Sequence, residues 1–119
     1  MNKRIKFSEE WDKIRKENRV VGKEFTTARG YEPRKHAYYS DSIGSVFDIL
    51  LKGEKIGEGK LHRNEFGWAI SKPLSFWKKD TYKHYTWKDI AEIMKQFYHL
   101  ANPFMIYLYL EWTKVEEEE

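Results

Sequence analysis

The run FMIYLYLEW at residues 104–112 is the strongest structural signal in the chain, because apolar side chains follow one another there without the polar alternation of a half-exposed strand. A strand that is apolar on both faces must be covered on both sides. The run therefore predicts a central strand of a sheet, held between two layers of structure.

The segment before this run has the clearest helical pattern in the chain. Thr86 is a good N-cap residue, and Asp89 stands three positions later, at the capping-box position. Pro103 ends the pattern. One apolar stripe runs along the predicted helix and consists of Trp87, Ile90, Ile93, Met94 and Phe97.

Upstream, the sequence predicts a β-hairpin. Residues 45–52 alternate as a strand, Gly53 and Glu54 form the turn, and residues 55–63 form the second strand. Gly57 and Gly59 lie on the same side of that strand, where a missing side chain permits a bend or a close backbone approach, so closure of a barrel is predicted there. Residues 66–76 are predicted to form one or two further short strands, interrupted by Pro73.

The N-terminal third is predicted to contain a helix, a strand and a loop. Residues 7–18 carry apolar side chains at helical spacing behind Ser8, which suits an N-cap. After Gly22, residues 23–29 have the threonines and the aromatic ring of a strand. Residues 30–44 show no period and are predicted to form a long loop, of the kind that often carries function in small domains.

Length and charge suggest one basic domain. The chain of 119 residues has room for a single domain, assigned to residues 1–115, followed by an acidic tail at 116–119 that is predicted to be disordered. The formal charge is +3, but without the four tail glutamates 22 basic residues face 15 acidic ones. Such a surplus favours an anionic partner, most commonly nucleic acid. Two readings of the tail stay open: it lies over the basic surface and competes with nucleic acid, or it is simply solvated.

Several classes of protein and site are disfavoured. The absence of cysteine removes disulfides, thiolate metal sites and cysteine nucleophiles, and it favours a cytoplasmic location. No stretch approaches the roughly 18 apolar residues of a membrane span. The four histidines stand apart and no phosphate-binding glycine loop occurs, so neither a metal site nor a cofactor is predicted. The high charge, with 17% aromatic residues, is compatible with a thermophile.

Cations interleaved with aromatic rings give the functional signal, because nucleic acids present phosphates and flat bases. The alternative is that these rings pack in the core and the cations only solubilise the surface. Two such groups occur, one formed by Lys23, Arg29, Arg34, Lys35, His36, Tyr38 and Tyr39, the other by Trp77, Lys78, Lys79, Tyr82, Lys83, His84 and Tyr85.

The order of elements, together with the stretch from Gly22 to Arg29, resembles an ASCH domain of the PUA-like superfamily. The family signature resembles G-x-K-x-x-x-x-R; Gly22 and Arg29 match it, whereas the lysine is displaced by one to Lys23 and Glu24 takes its place. Residues 44–49, 53–61 and 85–90 are similar to later family segments, so the resemblance spans about residues 7–112. It implies an α+β fold: a small PUA-like β-barrel of about five to six mostly antiparallel strands with two flanking helices.

The resemblance also implies a cleft suited to RNA or a modified nucleoside. Some ASCH members are amidohydrolases acting on N4-acetylcytidine through a lysine, a threonine and a glutamate. Thr27 falls on the threonine position, but Glu24 and Lys83 stand where the lysine and the glutamate are expected. These two residues could meet with reversed roles, or they could form an ordinary ion pair. Because two of three catalytic residue types are not matched, an enzyme is the less favoured reading.

The sequence therefore predicts a domain that binds RNA or another single-stranded nucleic acid in a basic cleft, with no membrane association. Two alternatives stay open: a small hydrolase of modified nucleosides with Thr27 as nucleophile, and a protein-interaction domain or homodimer that uses an open edge near Pro73. As a monomer or a homodimer, the protein would contact its ligand through Lys23, Thr27, Arg29, Arg34, Lys35, Tyr38, Arg63, Trp77 and Lys83.

Overall fold

The fold is an α+β arrangement of five strands and two α-helices. The computed structural model describes residues 3–72, 76, 86–100 and 102–116. Within these residues, three short 3-10 helices occur at Asp12–Ile14, Lys16–Asn18 and Ala69–Ser71. The regular elements are β1 (Lys3–Phe7), β2 (Glu24–Gly30), α1 (Pro33–Asp41), β3 (Val46–Leu51), β4 (Glu54–Trp68), α2 (Trp87–Tyr98) and β5 (Phe104–Val115).

The strands form one mixed sheet in the order β1-β3-β4-β5-β2. β1 runs parallel to β3, and the other neighbours are antiparallel. β5 lies between β4 and β2, and its residues from Met105 to Leu108 are fully buried. The predicted central strand is therefore confirmed.

Both faces of β5 are covered by side chains of other elements. On one face, called the α1 face, Ile106, Leu108, Leu110 and Trp112 join a core that Tyr39 of α1 packs against. On the other, the α2 face, Met105 and Tyr107 pack with Ile90 and Met94 of α2. The alternation of strand side chains thus divides the core into two layers.

The closed barrel is not confirmed. β1 and β2 form the two edges of the sheet, and no strand pairing joins them among the described residues. The observed architecture is an open five-stranded mixed sheet, with the parallel β1–β3 pair as its departure from the antiparallel pattern.

The prediction of a helix over residues 7–18 is wrong. Residues 3–7 form β1, in which Ile5 and Phe7 alternate with cationic side chains and are buried. Short 3-10 turns follow, and Ile14 enters the core from them. The period-2 pattern of β1 spans only five residues, and the apolar residues that follow it are spaced as in a helix.

Two further segments differ from the prediction. The predicted loop over residues 30–44 contains α1, which starts with Pro33 at its first turn and buries no residue, so it lacks the apolar stripe that identifies a helix in sequence. Where further strands are predicted over residues 66–76, residues 66–68 are the end of β4 and a 3-10 turn follows at Ala69–Ser71; residues 73–75 lie outside the described residues. Pro73 and the predicted open edge beside it lie outside the described residues.

The helix predicted from Thr86 is confirmed as α2, with its capping box formed. The Thr86 N–H donates to Asp89 Oδ2 at 2.8 Å, and the Asp89 N–H donates to Thr86 Oγ1 at 3.3 Å. None of the described helices is long and apolar enough to cross a membrane.

The capping box predicts a pH-dependent stability. Hydrogen bonds from the backbone and then the hydroxyl of Thr86 hold the pKa of Asp89 below its ordinary value of 3.8. A lowered folded pKa stabilises the protein above the unfolded pKa and ceases to do so as the pH falls through the folded one. Asp89→Asn should therefore lower the melting temperature at pH 7, and this difference should shrink below about pH 4.

The matched control is Glu92→Gln, which removes one carboxylate from the exposed side of the same helix. Thermal unfolding of both variants across pH 2–7 measures the effect. Equal destabilisation by the two variants at pH 7 would assign it to helix charge instead of the cap.

Candidate functional site

A cleft of about 400 Å³ lies where the two edge strands approach each other. The end of β1 and the turn after β3 form one side, β2 forms another, and α2 closes the third. Side chains of the two edge strands are in contact, since the guanidinium carbon of Arg29 on β2 lies 4.8 Å from the ring centroid of Phe7 on β1. The cleft is lined by Lys6, Phe7, Ser8, Trp11, Lys13, Thr27, Ala28, Arg29, Lys52, Gly53, Ile93, Met94, Phe97, Tyr98 and Met105.

The sheet presents backbone polar groups at this cleft. The Tyr31 N–H donates to the carbonyl of Phe104 at 3.0 Å, and the β2–β5 register is regular from Glu24 to Gly30. Because hydrogen-bonded residues alternate along an antiparallel strand, the N–H and C=O of Ala28 point away from β5, at the open edge. On β1, the Phe7 carbonyl accepts from Lys52 of the β3 turn, so the backbone groups of Lys6 point away from β3 in the same way.

Cations dominate the polar lining. Lys6, Lys13, Arg29 and Lys52 reach the cleft from four separate segments, and the lining residues listed above include no carboxylate. Lys13 Nζ lies 5.5 Å from the Phe7 ring centroid, so this ring is flanked by the ammonium of Lys13 and the guanidinium of Arg29. A positive field concentrated between low-dielectric walls attracts an anionic ligand.

Aromatic rings form much of the apolar wall. Trp11 and Phe97 meet edge to face with centroids 6.1 Å apart, and both line the cleft. Tyr98 packs so closely on β2 that a Cβ on Gly30 would lie 3.3 Å from its ring. Flat rings beside cations suit a ligand that combines a planar group with a phosphate.

Thr27 lines the cleft but is only 2% exposed. A threonine nucleophile needs a neighbouring base to accept its proton. No carboxylate or imidazole occurs among the lining side chains that the structure describes. The lining thus offers Thr27 neither a carboxylate nor an imidazole as a base, and the low exposure of Thr27 leaves its side chain little contact with a ligand.

The pKa of Tyr39 reflects both its burial and the charge of the neighbouring Arg29. Burial raises the pKa of the Tyr39 phenol, and the positive charge of Arg29 opposes that rise. The ring packs against Phe47 in the core, with centroids 6.1 Å apart. The charge of Arg29 therefore lies over the Phe7 ring and also acts on the half-buried Tyr39 phenol.

Of the predicted site residues, the structure brings Thr27 and Arg29 together in the cleft. Lys23 hydrogen-bonds the Asn18 side chain at 2.9 Å. Trp77 and Lys83 lie outside the described residues, as does any meeting of Lys83 with Glu24.

The remaining predicted residues belong to other surfaces. Arg34, Lys35 and Tyr38 are exposed on α1, with the ammonium of Lys3 4.7 Å from the Tyr38 ring centroid. Arg63 stacks on Tyr109 at 4.2 Å and pairs with Glu65 at 2.9 Å. A hydrogen bond with Tyr109, and then the neighbouring Lys72, lower the pKa of Glu65, so Arg63 belongs to a cluster with its own anion.

Sequence reasoning missed three of the four cleft cations. Lys13 lies in the segment interpreted as a helix, Lys6 lies just before that segment, and Lys52 lies at the end of a predicted strand. The alternation of Lys3 to Phe7 was the signal that could have identified an edge strand and hence Lys6. Nothing local marks Lys13 or Lys52, because only the tertiary approach of β1 to β2 brings them to one place.

No family model, curated protein or solved structure matches the chain. Among the described residues, no group of three or more metal-ligating side chains is placed to hold a metal ion. The geometry of the cleft is therefore the basis for a functional conclusion.

Proposed function

We propose that the protein binds single-stranded nucleic acid, RNA in particular, through the cleft between β1, β2 and α2. One observation carries the proposal: four cations surround an aromatic-walled cleft whose described lining holds no carboxylate. Cations attract the phosphates, and the rings offer faces to the base.

The size of the cleft supports a single nucleotide as the inserted unit. Its volume of about 400 Å³ falls in the usual range of small-ligand sites, roughly 300–1,000 Å³. A base in a duplex is stacked and paired, and it enters such a site only after it is extruded at an energetic cost. A single strand avoids that cost, so we expect it to be preferred.

The proposal includes membership of the ASCH group of PUA-like domains and a cytoplasmic location. The signature-like strand, β2, supplies both Thr27 and Arg29 to the cleft, which agrees with the role expected for such a strand. Approach of β1 to β2 through side chains, with Arg29 over Phe7, would complete a PUA-like barrel without hydrogen bonds between these edges.

The test is binding of the purified protein to labelled single-stranded RNA, single-stranded DNA and duplex RNA across a salt series. Each phosphate neutralised on a single strand contributes roughly 0.7 to the slope of log affinity against log salt, so the slope is about −3 if each of the four cations engages one phosphate of the inserted nucleotide or its neighbours. We expect single-stranded RNA to bind most tightly. Absence of binding to all three probes at low salt would refute the proposal.

A further inference from the structure

Five aromatic rings form an exposed cluster at one end of the sheet, here called the aromatic patch. It sits on the α1 face, where the ends of β2, β4 and β5 meet the first turn of α1. The ring centroids of Trp68 and Phe104 are 5.0 Å apart, and those of Tyr31 and Phe104 are 4.8 Å apart. The patch consists of Tyr31, His36, Phe66, Trp68 and Phe104.

The patch is open to solvent although it is apolar. Phe66 is 55% exposed, Trp68 54% and Tyr31 37%. Single exposed rings are ordinary, but contiguous ones mark a surface that binds something. Among the described residues, Trp68 belongs to neither core cluster and contacts the ring of Phe104 on the neighbouring strand.

The patch is continuous with the cleft. Arg29 lines the cleft, and Tyr31 belongs to the patch two residues later on the same face of the chain. That step is about 6.6 Å along an extended strand. Gly30, between them, faces the other side of the sheet, where it lies against Tyr98, which also lines the cleft. A single strand that leaves the cleft along this end of β2 therefore meets the patch next.

We propose that the aromatic patch is a stacking platform for the bases that follow the cleft-bound nucleotide of a single strand. The inference rests on the proposed function and extends its footprint from one nucleotide to several. Base stacking on aromatic side chains suits this surface because it needs ring faces and no sequence-specific donors. Arg34 and Lys35, exposed on the first turn of α1 beside His36, supply positive charge for the phosphates.

The experiment compares the four ribonucleoside monophosphates with an RNA hexamer of random sequence. Wild-type protein should bind the hexamer at least roughly tenfold more tightly than the best monophosphate, because each stacked base contributes about that factor. Trp68→Ala should abolish most of this gain and leave monophosphate binding unchanged. Trp68→Tyr should restore the gain, because it keeps a ring.

Ile70→Ala is the matched control, since it removes an exposed apolar side chain next to the patch without removing a ring. Loss of the hexamer gain in this control as well would overturn the stacking platform. Circular dichroism melts confirm that all variants fold, and Phe66→Ala provides a second loss of a ring if Trp68→Ala is unstable.

The outcomes separate this inference from the proposed function. If monophosphates bind but Trp68→Ala and Phe66→Ala leave the hexamer gain intact, the platform is refuted and the cleft proposal stands. If neither monophosphates nor the hexamer bind, the proposed function fails and the platform with it. If Trp68→Ala alters only the mass in solution, the patch is a protein contact and the inference is overturned.

Discussion

Reversing the charge of Lys6 and Lys52 together should weaken binding to single-stranded RNA by about 100-fold at low salt. Both side chains are exposed and line the cleft from the same end of the parallel β1–β3 pair. The variant Lys6→Glu/Lys52→Glu replaces two attractive charges with two repulsive ones beside the bound phosphate. The salt slope should also become shallower by about 1.4, at 0.7 for each lost contact.

The matched control reverses two exposed lysines that do not line the cleft, Lys60 on β4 and Lys88 at the start of α2. The net charge changes by the same amount in both double variants. We expect the control to lose no more than about threefold in affinity, through the weaker long-range field. Equal losses would show that overall charge governs binding and that the cleft is not the site.

The cleft cations show which part of the site the sequence does not predict. Arg29 was identified because it lies in a strand that carries a functional pattern, whereas the patterns around Lys13 and Lys52 predict only secondary structure. The cleft is assembled by the parallel pairing of β1 with β3, which joins residues more than forty positions apart, such as Lys3 and Phe47. A single sequence carries no local signal for that pairing.

The elements that were predicted correctly are those fixed by local chemistry. The capping box of Thr86 and Asp89 begins α2, and Gly53, with φ at 85°, makes the turn before β4. β5 is identified by its apolar composition alone, because a strand buried on both faces needs no polar alternation.

The missed helix α1 illustrates the opposite case. It buries no residue, and its only strong local cue is Pro33 at the N-terminal turn. Its position depends on tertiary contacts instead, such as Asn64 Nδ2 donating to Ser40 Oγ at 3.0 Å. The aromatic patch was missed for the same reason, since His36 reaches Phe66 only when α1 is placed over β4.

Gly57→Ala should destabilise the protein by about 2 kcal/mol or more, as overpacking of a closely packed site does. A Cβ at this position would overlap the backbone oxygen of Lys114 and would lie 2.7 Å from the Trp112 ring. Trp112 is fully buried and stacks on Phe25 at 4.8 Å, so it has little room to move. The predicted close approach of another backbone to this strand is thus found at Gly57.

Gly59→Ala is the control, because it makes the same substitution two residues further along the same strand. Its new Cβ would meet Ile49 and Leu110 at 3.5 Å, which is ordinary van der Waals contact. We expect a change within about 1 kcal/mol, since alanine also restricts the unfolded chain. Urea unfolding of both variants gives the two free energies, and similar destabilisation would refute the steric role of Gly57. Gly57 pairs with Val115 just before the register of β4 and β5 shifts between Glu58 and Gly59, so the close contact at Gly57 lies beside an irregular point of this strand pair.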